Sequence, residues 1–165
     1  MNFFKPSFYY EKVVDIGVPF LKTNNVECIL LDIDGTIAPH DLPMLVSGFK
    51  PWFKGILKNG IKMVLVSNNH KNRVKFIAEK LNLPFVYFSF KPLPLGIIRA
   101  LKIVSVDKSK SIMVGDQIFT DILGANVCGI RSVLVDPTNI KKGIMSKIKN
   151  WAEKPIRRNL GCGSN

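Results

Sequence analysis

Five short apolar runs recur along the chain, and each is rich in β-branched or aromatic residues. They cover residues 28–32, 61–67, 84–88, 111–115 and 131–135. Almost every position in these runs is apolar, whereas a strand with one solvated face would alternate apolar and polar residues. The pattern therefore predicts β-strands that are buried on both faces of a parallel sheet.

Segments with helical periodicity lie between these runs. Within residues 71–81, for example, Val74, Ile77, Ala78 and Leu81 are spaced three and four apart, and the charged residues fall on the other side. No internal repeat or low-complexity segment interrupts the pattern. Strands that alternate with helices predict an α/β fold with a mostly parallel sheet.

The spacing of the predicted strands leaves no room for an inserted cap domain. Their polar ends at positions 32, 67, 91 and 116 are 35, 24 and 25 residues apart, which is enough for one crossover helix each. We therefore expect a single domain over residues 1–165, with its core at about 27–136. An aromatic segment (1–26) and a basic tail (138–165) flank that core.

The charge of the chain favours anionic partners. Lys and Arg number 24 against 12 Asp and Glu, a formal net charge of +12, which favours nucleic acids, acidic membranes or phosphorylated substrates. The sequence contains no recognised nucleic-acid module, so no specific nucleic acid is expected.

No apolar run approaches the ~18 residues that span a bilayer. The three cysteines have no paired spacing, which indicates reduced thiols in a cytoplasmic protein.

Polar residues follow the predicted strands where each strand ends. In open doubly wound sheets the ligand lies outside the carboxyl ends of the strands. The residues at those ends are Asp32, Asp34, Ser67, Lys91, Asp116 and Asp121. They comprise two acid pairs, a hydroxyl and a cation, and two acids two residues apart need a compensating cation or a reaction that uses both.

This set of side chains predicts phosphoryl-transfer chemistry. Carboxylates are hard oxygen ligands that suit Mg²⁺, and Asp32 is placed to act as a covalent nucleophile. Asp34 would be the acid for the leaving oxygen and the base for the incoming water. Lys91 and Ser67 would neutralise the phosphate oxygens, while Gly35 would permit a tight turn with close approach to the phosphate.

Four ordered motifs resemble those of the haloacid dehalogenase (HAD) phosphohydrolase superfamily. They are DIDGT (32–36), VSNN (66–69), Lys91-Pro92 and GDQIFTD (115–121). Over about residues 27–136, the resemblance implies a Rossmann-like three-layer fold, Mg²⁺ and an aspartyl-phosphate intermediate on Asp32. The implied phosphate-binding residues are Gly35, Thr36, Ser67, Asn68 and Lys91; the implied metal ligands are Asp32, Asp34 through its backbone carbonyl, Asp116 and Asp121.

A closer resemblance is to the YqeG-like branch of subfamily IIIA, related to mitochondrial phosphatidylglycerophosphatases. TIAPHD (36–41), SNNHKNRV (67–74), KPLP (91–94) and VGDQIFTDILGANVCGI (114–130) resemble that branch. It implies removal of the terminal phosphate of phosphatidylglycerophosphate, and hence a lipid head group as substrate. The chain departs from the usual pattern at Gly35, where Asn is common, and at His40, where an aromatic residue is expected.

Two other functions are compatible with the same residues. One is a phosphatase of sugar phosphates or nucleotides, with an oligomeric neighbour serving as a lid, since the oligomeric state is open. The other is a non-catalytic phospho-switch like response-regulator receivers, which have no need for a second carboxylate at the position of Asp34. Thirty residues between Thr36 and Ser67 and twenty-three between Ser67 and Lys91 predict an open site that admits a large substrate.

The ends of the chain bear on membrane contact. Six of the sixteen aromatic residues lie in the first twenty positions, where they would either enter lipid or cover the core. In the tail, Ile140, Ile144, Ile148 and Trp151 form the stripe of a basic amphipathic helix, for which we favour packing on the sheet over peripheral contact with the inner face of a membrane. Asn69, His40 and His70 are expected to be loop residues, and Asp41 a helix cap.

Overall fold

A six-stranded parallel sheet forms the centre of the protein. The computed structural model describes residues 3–40, 42 and 44–138. The strands are β1 (Phe8–Tyr10), β2 (Cys28–Leu31), β3 (Lys62–Val66), β4 (Phe85–Val86), β5 (Ser111–Gly115) and β6 (Arg131–Val135). Their order across the sheet is β1-β6-β5-β2-β3-β4, and every neighbouring pair is parallel.

Five helices connect these strands. They are α1 (Val18–Thr23), α2 (Phe49–Lys58), α3 (Lys71–Leu81), α4 (Pro94–Val104) and α5 (Leu123–Cys128). A π-helical turn at Ile118–Ile122 leads directly into α5, and 3-10 turns at Val13–Asp15 and Lys108–Lys110 complete the connections. Within the described residues no helix is long and apolar enough to cross a bilayer.

Successive residues of each central strand face opposite layers of helices. Ile29 and Leu31 belong to the core shared with α2 and α3, whereas Cys28 and Leu30 pack with α4 and α5. Both faces of β2 are therefore covered, which explains why its four residues are all buried and apolar. The predicted α/β, Rossmann-like three-layer fold is confirmed.

The predicted strands are confirmed with small changes at their ends. Asp32 and Ser67 lie just beyond β2 and β3, but their N–H groups still donate to Val114 and Val86 at 3.0 Å. The largest change is at β4, which has only two residues instead of the predicted 84–88. The strand ends early because Phe88 adopts a positive φ of 42°, which no strand accommodates.

The N-terminal aromatic segment contributes a strand that the hydrophobic pattern did not predict. β1 pairs with β6, so that Phe8 lies opposite Val133. Phe20 packs edge-on against Phe8 and Tyr10 at 4.8 and 5.4 Å between ring centroids. These aromatic residues cover the core, whereas Phe3 and Phe4 remain exposed.

The connections between the motifs contain no inserted domain within the described residues. Between β2 and β3 lies only α2, and between β3 and β4 only α3. The carboxyl edge of the sheet is therefore not covered by a cap in this part of the chain. Residues 139–165 of the tail, which contain its amphipathic stripe, and Asp41 lie outside the described residues, so the expectations about them stay predictions.

Replacement of Phe49 with alanine tests the larger core. Phe49 is fully buried and stacks on Phe53 at 5.8 Å, so Phe49→Ala should lower the free energy of unfolding by about 3–5 kcal/mol. Urea denaturation followed by circular dichroism measures the change. Phe76→Ala is the matched control, because Phe76 is 42% exposed on α3. Equal losses in both variants would contradict the packing described above.

Candidate active site

The polar residues at the strand ends converge at the carboxyl edge of the sheet, as their spacing predicts. Asp32 follows β2, Ser67 follows β3 and Asp116 follows β5, while Lys91 comes from the loop between β4 and α4. All four are buried, as are Asp34 and Asp121. A cluster of buried ionisable groups needs internal compensation for its charge.

Lys91 provides much of that compensation. Its ammonium nitrogen Nζ lies 2.7 Å from Asp32 Oδ1 and 2.7 Å from Asp121 Oδ1. It also donates a hydrogen bond to the carbonyl of Val66 at 2.6 Å. Since the side chain of Lys91 is 1% exposed, one lysine is fixed between two carboxylates and the end of β3.

The protonation of this pair follows from burial and charge. Burial raises the pKa of Asp32 to about 7, although Lys91 acts in the opposite direction. Burial alone would lower the pKa of Lys91, but the carboxylates of Asp121 and Asp32 outweigh burial and raise this pKa above its ordinary value. Lys91 is therefore a permanent cation, and Asp32 depends on nearby positive charge to stay ionised.

Three of the acids could hold a metal ion. Oxygen atoms of Asp32, Asp116 and Asp121 lie within 4.8 Å of one another. With three carboxylates counted as −3 and Lys91 as +1, the formal charge is −3 + 1 = −2, which a divalent cation would neutralise. Asp121 Oδ1 accepts no hydrogen bond of normal geometry from the described residues, although Lys91 Nζ is near. An all-oxygen donor set of this kind fits a hard cation.

Two glycines allow these carboxylates to approach the backbone. Gly35 has a φ of 95°, and a Cβ atom there would collide with the carboxylate of Asp116. A Cβ at Gly115 would likewise collide with Asp121. The N–H of Gly35 donates to the carbonyl of Ala38 at 2.8 Å, so a phosphate contact through this N–H would have to displace that bond. Close approach of Asp116 accounts for the glycine at 35.

Thr36 links two members of the acidic cluster. Its hydroxyl oxygen Oγ1 lies 3.3 Å from Asp32 Oδ2 and 3.4 Å from Asp116 Oδ1, and the residue is 1% exposed. A single hydroxyl hydrogen donates to one of these oxygens at a time. Thr36 therefore orients the carboxylates, and its predicted contact with phosphate stays a prediction.

Asp34 points to partners that the sequence did not identify. Arg73 Nε and Nη2 donate to Asp34 Oδ1 at 3.2 and 2.9 Å, and Asn69 Nδ2 donates to Asp34 Oδ2 at 3.1 Å. Sequence periodicity predicts that Arg73 lies on the charged outer side of α3, and it predicts only a loop position for Asn69. The location of these residues in the chain could have identified them. Asn69 and Arg73 lie where α3 begins, and the first turn of α3 lies at the carboxyl edge of the sheet beside the site.

Ser67 and Asn68 organise the neighbouring loops. The Ser67 hydroxyl accepts a hydrogen bond from the N–H of Asn69 at 3.1 Å. Asn68 Oδ1 accepts from the Ser89 hydroxyl and the Lys91 N–H, each at 2.7 Å, and Asn68 Nδ2 donates to the Lys91 carbonyl at 2.8 Å. These contacts show Asn68 holding the segment that carries Lys91; direct contact of Ser67 or Asn68 with phosphate stays a prediction.

Removal of the Lys91 cation should destabilise the protein. Lys91→Met leaves Asp32 and Asp121 buried without their partner, which should cost about 3–5 kcal/mol of unfolding free energy in EDTA. The control is Lys110→Met, since Lys110 pairs with Glu27 at the same 2.7 Å but is 51% exposed; little change is expected there. Urea denaturation compares the two variants, and an unchanged Lys91→Met protein would contradict the ionic role of Lys91.

Comparison with known proteins identifies the family of this chain. The family model described as haloacid dehalogenase-like hydrolase matches residues 13–129. A curated relative, the "Probable phosphatase YqeG" of Bacillus subtilis (strain 168), is 33% identical over 94% of this chain and 90% of its own length. The predicted enzyme class, a HAD-type phosphatase, is supported by both findings.

Solved structures share the fold at low sequence identity. A protein from Listeria monocytogenes serotype 4b has a TM-score of 0.56 at 17% identity, covering 82% of this chain and 98% of its own. The cobalt-bound deoxy-D-mannose-octulosonate 8-phosphate phosphatase of Haemophilus influenzae has a TM-score of 0.54 at 13% identity, covering 81% and 90%. The family model, the YqeG match and the four motifs in one site together show that the chain belongs to the haloacid dehalogenase-like hydrolases.

Proposed function

We propose that this phosphatase is a Mg²⁺-dependent phosphomonoester hydrolase that forms an aspartyl-phosphate on Asp32 and dephosphorylates phosphatidylglycerophosphate to phosphatidylglycerol. The observation that carries the chemistry is the buried contact of 2.7 Å between Asp32 and Lys91, inside an oxygen-only acidic cluster. The lipid substrate rests on the resemblance to the YqeG-like branch. The enzyme would act at the cytoplasmic face of the membrane that contains this lipid.

Magnesium fits the charge and the donors of the site. Asp32, Asp116 and Asp121 would hold it, together with the backbone carbonyl that the family resemblance assigns to Asp34. When bound, the ion would supply positive charge to the phosphate oxygens and to Asp32. The formal charge of −2 that remains after Lys91 is counted supports a divalent rather than a monovalent cation.

The residues of the chain divide the reaction into two steps. In the first, an Asp32 oxygen forms a bond to phosphorus, the bond from phosphorus to the leaving oxygen breaks, and Asp34, starting from its protonated form, gives a proton to that oxygen. In the second, Asp34 takes a proton from water as the water oxygen bonds to phosphorus, and the bond to Asp32 breaks. Phosphate leaves, and both carboxyl groups return to their initial states.

The contacts around Asp34 support its acid/base role. Arg73 donates to Asp34 Oδ1 and Asn69 donates to Asp34 Oδ2, so both oxygens are held and the orientation of the carboxyl group is fixed. The carbonyl of Pro39 also accepts a hydrogen bond from Arg73 Nη2 at 3.2 Å, which connects the loop after β2 with α3. A receiver-type phospho-switch has no use for a second carboxylate held in this way, so these contacts favour turnover over a stable phosphoprotein.

Phosphate release from alternative substrates tests the proposal. Phosphatidylglycerophosphate in vesicles is compared with sugar phosphates and nucleotides, with Mg²⁺ and with EDTA. Rapid Mg²⁺-dependent turnover confined to the lipid is expected. Turnover of sugar phosphates or nucleotides alone would keep the chemistry and overturn the lipid assignment, whereas a stable phosphoprotein without turnover would overturn the enzyme.

Replacement of Asp32 tests the nucleophile. Asp32→Asn keeps the size of the side chain but removes the attacking oxygen anion, so kcat should fall about a thousandfold or more. The same phosphate-release assay measures kcat. Glu79→Gln is the control, because Glu79 is exposed on α3 and pairs only with Lys75 among the ion pairs described. Full Mg²⁺-dependent activity in Asp32→Asn would refute the mechanism.

Replacement of Arg73 tests a positioning role. Arg73→Gln should lower kcat about 10- to 100-fold with little change in KM, because Asp34 loses its orienting partner and substrate binding keeps Lys91. Arg73→Lys should restore part of kcat, since lysine returns the positive charge but not the paired hydrogen bonds from Nε and Nη2 to Asp34 Oδ1. Lys75→Gln, two residues along the same helix, is the control. A loss confined to KM, or one explained entirely by unfolding, would exclude this role.

A further inference from the structure

A group of exposed apolar side chains lies beside the buried Lys91. We call Phe88, Phe90, Leu93, Leu95 and Ile98 the rim patch. With Ile103, they make six of the thirteen exposed large hydrophobic residues in the described chain, although residues 88–103 are a small fraction of it. Phe90 and Leu95 are the most exposed, at 62% and 63%. Such a concentration of exposed apolar surface is typical of an interaction site.

The loop that carries Lys91 alternates between the site and the solvent. Ser89 and Lys91 are buried, whereas Phe88 and Phe90 point outward and stack with their ring centroids 6.3 Å apart. The N–H of Leu93 donates to the carbonyl of Phe90 at 2.8 Å, so the chain turns directly from the aromatic pair into α4. The geometry that places Lys91 on Asp32 therefore also places two phenyl rings in solvent.

The backbone of this loop is held in an uncommon conformation. Phe88 and Phe90 have φ values of 42° and 56°, a region that bulky residues rarely adopt. Hydrogen bonds to the loop after β3 maintain it: Phe88 N–H donates to the Asn69 carbonyl at 3.1 Å and Ser89 N–H to the Ser67 carbonyl at 3.0 Å. Asparagine would suit a positive φ better, and the ring contacts described for these two side chains are with each other and, for Phe88, with Tyr87 at 5.8 Å between centroids.

Two exposed cations border the rim patch. Residues 80–106 contain no Asp or Glu; of their four cations, Lys91 is buried and Lys80 lies over the Phe76 ring on α3, which leaves Arg99 and Lys102 exposed on α4. On α4, Arg99 follows Leu95 by four residues and Lys102 follows Ile98 by four, which places these cations beside the apolar side chains on the exposed side. Apolar residues mixed with cations and no acids match a surface of anionic lipid head groups.

We propose that the rim patch docks the protein on an anionic lipid bilayer, with the phenyl rings of Phe88 and Phe90 in the interface and the acidic site facing the head groups. A second copy of the chain fits this surface less well, because a two-fold contact would place two copies of the same cationic surface, each with Arg99 and Lys102, against each other. The docking adds a membrane-binding surface to the proposed function. It rests on that function only for the identity of the lipid that is dephosphorylated.

Co-sedimentation with vesicles tests the docking without any hydrolysis. Protein is mixed in EDTA with vesicles of phosphatidylcholine alone or of phosphatidylcholine with phosphatidylglycerol, at low and high salt. Wild-type protein should bind the anionic vesicles and lose affinity with salt. Phe88→Asn/Phe90→Asn should bind at least about tenfold more weakly, and Arg99→Gln/Lys102→Gln about 30-fold more weakly at low salt.

The control and the folding check separate docking from stability. Phe76→Gln removes an exposed phenyl ring from α3, on the opposite layer of the sheet from α4, and should bind like wild type. The two asparagines suit the positive φ values, so the melting temperature of that variant should stay at or above the wild-type value. All variants retain the basic tail at 138–165, which is thereby held constant.

The outcomes distinguish this proposal from the proposed function. Wild-type binding that persists in both double variants, equal binding to neutral vesicles, or no vesicle binding would each overturn docking through the rim patch. Those results would leave the phosphatase chemistry untouched. Binding that depends on the patch supports the docking, even if phosphatidylglycerophosphate in the same vesicles proves not to be hydrolysed, which would overturn only the substrate.

Discussion

The ion cluster around Lys91 is the interaction on which the rest of the structure depends. A buried ammonium and buried carboxylates would each be strongly unfavourable alone, and together they are tolerated because Lys91 contacts both Asp32 and Asp121 at 2.7 Å. Two neighbouring residues support that contact. Asn68 holds the backbone of Lys91, and Gly115 gives the space that Asp121 needs. The ion pairs with Lys91 offset the free energy cost of burying these charged groups. The acidic cluster nevertheless keeps a net negative charge.

That remaining charge connects stability to chemistry. Three ion pairs of two kinds lie in the site: Lys91 pairs with both Asp32 and Asp121, and Arg73 pairs with Asp34. Lys91 lies among more carboxylates than it can neutralise, and the remaining negative charge suits a divalent cation. Arg73, in contrast, balances the single carboxylate of Asp34. Asp32 can therefore respond to a cation, while Asp34 is held in a fixed orientation. Two carboxylates two residues apart thus acquire different environments and can perform different roles.

The loop between β4 and α4 connects the interior of the site with the molecular surface. Its residues alternate, so that Ser89 and Lys91 are buried while Phe88 and Phe90 are exposed. A change in the backbone that moved the rings would also move the lysine. If the rings rest in a lipid interface, the same hydrogen bonds that position Lys91 set the depth of the site above the head groups. Docking and catalysis would then share one rigid segment.

The sequence by itself determined the α/β fold, the order of the motifs and the edge at which Asp32 and Lys91 meet, because burial on both faces makes strands apolar throughout and parallel strands end at one edge. Only the tertiary structure decided the partners. The pairing of β1 with β6 joins residues about 125 positions apart, and Arg73 reaches Asp34 from another element. Local periodicity marks which side of a helix is polar, but long-range packing selects what that side contacts, so a charged residue in the sequence pattern becomes a site residue only in the fold.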